Sequence, residues 1–234
     1  MPLKILQVFN QYLDPGGEEL WVDRMNHMSS AEVEIDDLRF YSRLWKTRGA
    51  PNFMQQALSL GNNEESRRLL RLEIQRTKPD ALVFHNVIPV GSLGLYEEAK
   101  RHRIPVLQYI HNFRPFSPSG TLWYQGSVHP QSLQGSMRAE VLHSAWERSF
   151  TRTALLALHL KRALNRGLLD RVDHWIAVSR FMRERFIAAG IPEHKVTELR
   201  HCWQLEPGTQ TNAKEGDHYL FLGRLVSEKG VLLL

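Results

Sequence analysis

Residues 79–112 read PDALVFHNVIPVGSLGLYEEAKRHRIPVLQYIHN. The first run, ALVFHN, is short, apolar and preceded by Pro79-Asp80, which marks a buried strand. SLGLYEEAKRHR has the length and spacing of a helix, and IPVLQYIHN returns to a strand of the same character. Strand, helix and strand in this order form a βαβ unit whose two strands run parallel.

The alternation extends in both directions. LKILQVFN (3–10) is a mostly apolar run ended by turn residues, hence a first buried strand. A turn at Asp14-Pro15-Gly16-Gly17 opens a helix with apolar positions at Leu20, Val22 and Met25. AEVEIDDLRF (31–40) alternates apolar and polar residues as a second strand, and NNEESRRLLRLEIQRTKPD (62–80) is a charged amphipathic helix stopped by Pro79. Beyond the opening unit, DHWIAVS (173–179) reads as a strand, RFMRERFIAAG (180–190) as a helix ended by Gly190, and HKVTELRHC (194–202) as a strand. No internal repeat and no low-complexity tract interrupts this order. The pattern predicts an α/β fold, a doubly wound, Rossmann-like parallel sheet with helices on both faces. WQLEPGTQTNAKEG (203–216) is polar, with Pro and Gly, and DHYLFLGRL (217–225) starts a fresh strand. The expected organisation is one α/β domain over 1–202, a linker over 203–216, and the first strand and loop of a second domain over 217–234.

Composition narrows the class. Apolar residues make up 42% and charged residues 24% of the 234, a balance that supports a substantial core and excludes a disordered chain. The apolar uncharged stretch ALVFHNVIPVGSLGLY (81–96) is shorter than the roughly 20 residues of a membrane-spanning helix and contains Pro and Gly. Cys202 is the sole cysteine, so neither a disulfide framework nor a Cys-rich zinc site is available. With no secretory signal at the start, the expected location is the cytoplasm. The formal charge of +5 suits phosphate-bearing ligands, nucleic acid or an anionic membrane face, and equally a plain solubilising surface. The basic residues are scattered and lack an aromatic-basic module, which argues against nucleic acid.

In open parallel sheets ligands bind outside the carboxyl ends of the strands, and the sequence places notable residues there. Gly16 and Gly17 follow the first strand and precede a helix, where backbone N–H groups attract phosphate; an ordinary Pro-Gly-Gly turn has the same letters. His85-Asn86 and His111-Asn112 each terminate an apolar strand. An imidazole there can hydrogen-bond a sugar hydroxyl or a departing phosphate oxygen, or be satisfied by nearby backbone. The repetition favours a site. No His-x-x-x-His helix or carboxylate cluster accompanies the pairs, which argues against a metal. NFRPFSPSGTLWYQGSVHPQ (112–131) has no period and reads as a ligand-covering or disordered segment, with Arg114 bringing a cation beside His111. Arg224 and Lys229, five residues apart in GRLVSEKG, suit the two phosphates of a diphosphate, Arg as a planar fork and Lys as a point charge. The helix TRTALLALHLKRALNRGLLDRV (151–172) is basic and Leu-rich; it either packs its apolar face on the sheet or lies on an anionic membrane surface.

Taken together, DPGGEE, PDALVFHN, YIHNFRPFSPSGTL, VDHWIAVSRFMRERFIAAGIPEHKV and YLFLGRLVSEKG resemble the family 4 glycosyltransferases, retaining enzymes of GT-B fold that use no metal or other cofactor. The resemblance covers nearly the whole chain and makes it the acceptor-side half of a GT-B architecture. It implies transfer of a sugar from a nucleotide-diphosphate donor to a glycan or lipid-linked acceptor with retention, in polysaccharide synthesis. His111 would be the catalytic residue beside the transferred sugar. Gly16, Gly17, His85, Asn86, Asn112 and Arg114 would bind substrate, and Arg224 with Lys229 would hold the donor diphosphate. Glu19 stands at the Glu of the family's Gly-Gly-x-Glu pattern. Ser117 occupies a place where similar stretches carry Cys, and LRHCWQ lacks the usual Asn-Pro before the linker. The family's second domain holds most of the nucleotide pocket, so this chain alone is expected not to transfer sugar. Sugar-nucleotide epimerases share the architecture, and a non-catalytic glycan- or anion-binding remnant shares the fold. GRLVSEKG fits the transferases better.

Overall fold

The computed structural model describes residues 1–13, 16–201, 220–223, 225–226 and 229–231. Strands β1 (Leu3–Gln11), β2 (Val33–Tyr41), β3 (Ala81–Phe84) and β4 (Val106–Ile110) alternate with helices α1 (Gly17–Asn26), α2 (Phe53–Gly61), α3 (Glu64–Thr77) and α4 (Gly94–His102). A two-stranded hairpin, β5 (Trp123–Tyr124) with β6 (Ser127–Val128), then α5 (Arg138–Leu142), α6 (Phe150–Asn165), β7 (His174–Ala177), α7 (Arg180–Ala188) and β8 (Val196–Glu198) complete the order. The main sheet runs β2-β1-β3-β4-β7-β8 with every pair parallel. The α/β doubly wound sheet is therefore present as expected.

Strand periodicity sorts the two faces. Leu6 and Val8 of β1 and Leu82 and Phe84 of β3 enter the large core, which α3, α4, α6 and α7 close with Leu70, Leu95, Leu156, Leu160 and Phe186, all fully buried. Ile5, Val83, Leu107 and Tyr109 point to the other face and meet Trp21 and Met25 of α1. The helical face of α1 differs from the expected one in one position: Leu20 is 61% exposed, whereas Trp21, Val22 and Glu19 are buried. Trp21 and Met25 lie four residues apart and fix the buried stripe, so Leu20 is turned to solvent. α3 ends where Lys78 adopts a left-handed conformation ahead of Pro79, and α7 ends at Gly190 with φ of +101°. The apolar face of α6 is consumed internally against α2 and the core, not held free for a membrane, and Lys161, Arg162 and Arg166 stay exposed.

The expected linker, 203–216, lies outside the described residues. Of the strand expected at 217–225, the described residues 220–222 are not in a strand, and Leu220 and Leu222 are 85% and 93% exposed.

Candidate active site at the carboxyl ends of the strands

Strand order reverses between β1 and β3, since the chain passes from β1 outward to β2 and then back to the opposite side. Loops leaving the carboxyl ends of β1 and β3 diverge there and open a crevice. A cleft of about 740 Å³ occupies this place, lined among others by Gly16, Gly17, Glu18, His111, Asn112 and Arg114.

The floor is built from the face of the sheet that carries α1. Gln7 of β1, His85 just past β3, and Tyr109 and His111 at the end of β4 share that face by strand period. His85 Nδ1 lies 2.8 Å from His111 Nε2, and His85 Nε2 lies 2.8 Å from Gln7 Oε1. The rings of His85, Tyr109 and His111 are stacked, with centroids 4.8–5.6 Å apart, and His201 leans on His111 at 5.2 Å. Burial first, then the charges His201 and Arg39 would bring, push the His85 imidazole down to about 3. Burial, with His85 and His201 as neighbours, holds His111 well below the ordinary histidine range. Both are neutral at pH 7.

α1 supplies two adjacent glutamates with different tasks. Glu19 turns back on its own helix start, accepting from the N–H groups of Tyr12 (3.2 Å) and Gly16 (2.7 Å). Glu18 faces the cleft. Its Oε1 accepts from the Asn86 N–H at 3.1 Å and its Oε2 from the Asn112 side-chain amide at 3.3 Å, which lodges the carboxylate between the ends of β3 and β4. The residue as a whole is half-buried, yet its carboxyl end is desolvated enough to push it up to about 8. Burial dominates that shift; the Asn86 N–H and Arg114 oppose it, and Glu19 adds to it. Tyr12 shares the spot, its hydroxyl accepting from Asn112 at 3.2 Å.

The expected site residues separate on inspection. His85, His111, Asn112 and Arg114 converge on one place, with Gly16 and Gly17 on its rim. Asn86 spends its side chain on its own loop, donating to the Ile88 carbonyl (2.8 Å) and accepting from the Ile88 N–H (3.4 Å), so its backbone alone meets the cleft group Glu18. Arg114 donates to the Pro118 carbonyl, lies over the Trp146 ring, and leaves its Nε without a partner among the described residues. Lys229 lines the same cleft with Gly223; Arg224 lies outside the described residues. The segment 112–131 is a tied wall, because the buried Glu140 accepts from the Ser117 hydroxyl (3.0 Å), the Ser119 N–H (2.7 Å) and Ser132. Ser117 is thus a structural anchor.

Gln7, Tyr12, Glu18 and His201 are site residues that the sequence reading missed. Gln7 had a signal, a fully buried amide in the middle of an apolar strand; Glu18 had none, since only the helix phase separates it from Glu19.

Neutral imidazole, a carboxyl that holds its proton near neutrality, the Asn112 amide and one guanidinium make a surface suited to a polyhydroxylated ligand. The model of the family described as Glycosyltransferase Family 4 matches residues 36–201. The chain belongs to glycosyltransferase family 4. A comparison with curated proteins finds no match. Among solved structures it is similar to the apo form of the lipopolysaccharide outer core galactosyltransferase WaaB, at 14% identity and TM-score 0.46, over 83% of this chain and 44% of that one. It is similar to UDP-GlcNAc 2-epimerase from Neisseria meningitidis bound to UDP-GlcNAc, at 12% identity and TM-score 0.45, over 83% and 45%. It is also similar to HepE from Anabaena in complex with UDP and glucose, at 15% identity and TM-score 0.42, over 86% and 45%. The chain spans less than half the length of each of these three proteins.

Proposed function

We propose that this domain forms the acceptor side of an enzyme that moves a sugar from a nucleotide diphosphate onto a glycan or lipid-linked acceptor, with retention at the transferred carbon. The observation that carries the reading is the family match over 36–201, a span that includes the strand ends where His85, His111, Asn112 and Arg114 converge. In the reaction the bond from the anomeric carbon to the diphosphate breaks, the electron pair leaves with the phosphate, and an acceptor hydroxyl bonds to the same carbon while its proton passes to the departing diphosphate oxygen. His111 contacts the transferred sugar, and Glu18, Asn112 and Tyr12 hold hydroxyls along the cleft. Gly16 and Gly17 leave room for the ligand, since a Cβ at Gly17 meets nothing within 4 Å and one at Gly16 makes only ordinary contact. Lys229, with Arg224, takes the charge that develops on the diphosphate, the step where electrostatic stabilisation matters most. This half alone binds ligand without turnover.

Work at the inner face of an anionic membrane, in polysaccharide synthesis, fits the same reading. Exposed Lys161, Arg162 and Arg166 on α6 support it, as do the exposed Phe53, Met54 and Leu58 on α2, which packs against α6. Among the described residues no helix is long and apolar enough to cross a membrane.

The test is a transfer assay on the protein containing this domain, with uridine- and guanosine-diphosphate hexoses, followed by release of the nucleoside diphosphate. Turnover with one donor class, reduced at least about 100-fold by His111→Ala, is expected. Undiminished rates in His111→Ala sink the assignment of that residue, and no turnover with any donor sinks the reaction.

A further inference from the structure

The hydrogen bonds beneath the cleft have a direction, which follows atom by atom from Gln7. The Gln7 amide nitrogen donates to Asn26 Oδ1 at 2.6 Å and toward the Val22 carbonyl at 3.5 Å. A carbonyl only accepts, so the nitrogen faces α1 and Gln7 Oε1 faces His85. That oxygen also only accepts, so His85 carries its proton on Nε2. His85 Nδ1 is then a lone pair, and its 2.8 Å contact requires the proton of His111 to sit on Nε2. The chain ends in a lone pair on His111 Nδ1, and that atom is buried without a partner among the described residues. Burial keeps both rings neutral at pH 7, so no second proton reverses the order.

We propose that Gln7 and His85 are positioning residues that hold His111 as its Nε2–H tautomer, so that Nδ1, which is covered in this structure, can accept a hydrogen bond from a ligand hydroxyl that uncovers it and can donate none to phosphate. The proposal rests on the glycosyl-transfer reading for the identity of that hydroxyl as a sugar's. Diphosphate oxygens at neutral pH are acceptors, and two lone pairs facing each other repel. His111 therefore orients the sugar, and the leaving diphosphate is met by other groups. The tilted ring of His201 also carries a nitrogen, Nε2, without a partner among the described residues, and is a competing candidate for setting the His111 tautomer.

Long-range proton–nitrogen correlation spectra of the 234-residue chain, with nitrogen-15 histidines at pH 7, read the tautomers directly. His85 and His111 are expected with the proton on Nε2 alone. Gln7→Leu removes the terminal acceptor, and a second His111 species with a proton on Nδ1 appears. Gln7→Glu restores an acceptor and the single species. His201→Phe leaves His111 unchanged, and so does millimolar inorganic pyrophosphate. A proton on Nδ1 of His111 in the unaltered chain overturns the proposal, as does its arrival on adding pyrophosphate or in His201→Phe. Should Gln7→Leu not fold, the unaltered chain, Gln7→Glu and His201→Phe decide the matter. Transfer that fails with the tautomer as stated sinks the transferase reading alone, and the reverse pairing sinks the positioning role alone.

Discussion

Glu18 and the His85–His111 pair titrate in opposite senses, and the difference fixes how the site responds to pH. A carboxyl raised from 4.5 to about 8 keeps its proton in the folded chain, so its contribution is complete below pH 4.5 and is lost as pH climbs toward 8. The histidines are depressed below 6.5, so theirs is complete above that pH and is lost as pH falls. Two protons against one give a net loss on acidification below 6.5, and Glu18 alone gives a loss above it. These groups therefore place a stability maximum near pH 6.5. Glu18→Gln should gain on the wild type as pH rises from 5 to 8, by at most about 1.4 kcal/mol per pH unit, less where solvent screens the half-exposed residue. Urea melts at pH 5, 6.5 and 8 check this; a constant difference between the two proteins refutes it. Gly17→Ala concerns the same rim. The position opens a helix with free space around it, so stability should be unchanged or rise by roughly 0.5 kcal/mol, while binding of a sugar nucleotide to the site weakens. Unaltered affinity removes Gly17 from the site. Among these residues the histidines were legible as strand endings, and the choice of Glu18 over Glu19 was not, because adjacent helix positions differ by about 100° in direction, which no single letter encodes.

The elements are secured by unequal polar contacts. Glu98 of α4 is buried and accepts from Arg67 of α3 at 2.8 and 3.0 Å and from Arg71 at 3.2 Å, joining the two helices that cover one face of the sheet. Glu98→Ala removes the buried carboxylate, leaves the Arg67 guanidinium only the exposed carboxylate of Glu64 at 3.4 Å among the described residues, and should cost about 3 kcal/mol. Glu65→Ala removes only the exposed pair with Arg68 on α3 and should cost far less, because solvent screens that pair. Chemical denaturation of both variants measures the contrast, and equal losses contradict it. α3 and α4 were legible from their spacing. α2 was not, because its apolar residues Phe53, Met54 and Leu58 face outward while Gln56 and Leu60 are buried. Its one sequence mark is the reciprocal cap of Asn52 and Gln55. The hairpin of β5 and β6 is two residues per strand, too short for any period to register.

At the scale of the molecule, the parallel order β2-β1-β3-β4-β7-β8 sets a crevice, and a ligand seated there touches segments that follow four strands, β1 to β4. Binding should accordingly stabilise the whole domain. A nucleotide sugar or acceptor present at 100 times its dissociation constant should add roughly 2.7 kcal/mol. A calorimetric scan across uridine- and guanosine-diphosphate sugars and oligosaccharides reads this as a raised Tm. No rise with any of them contradicts a ligand site at the crevice.

Alternation of apolar strands with amphipathic helices sufficed to determine the α/β class and the parallel sheet, because burial on both faces leaves its period in the letters themselves. The repeated His-Asn endings likewise marked two strand ends that come together in the crevice. Only the tertiary structure decided that Gln7, His85 and His111 form one hydrogen-bonded chain, that Glu18 enters the crevice, and that Asn86 is spent on its own loop. Those outcomes depend on the register between strands distant in sequence and on the rotation of α1 over the sheet, which are set by packing between segments and have no local signature.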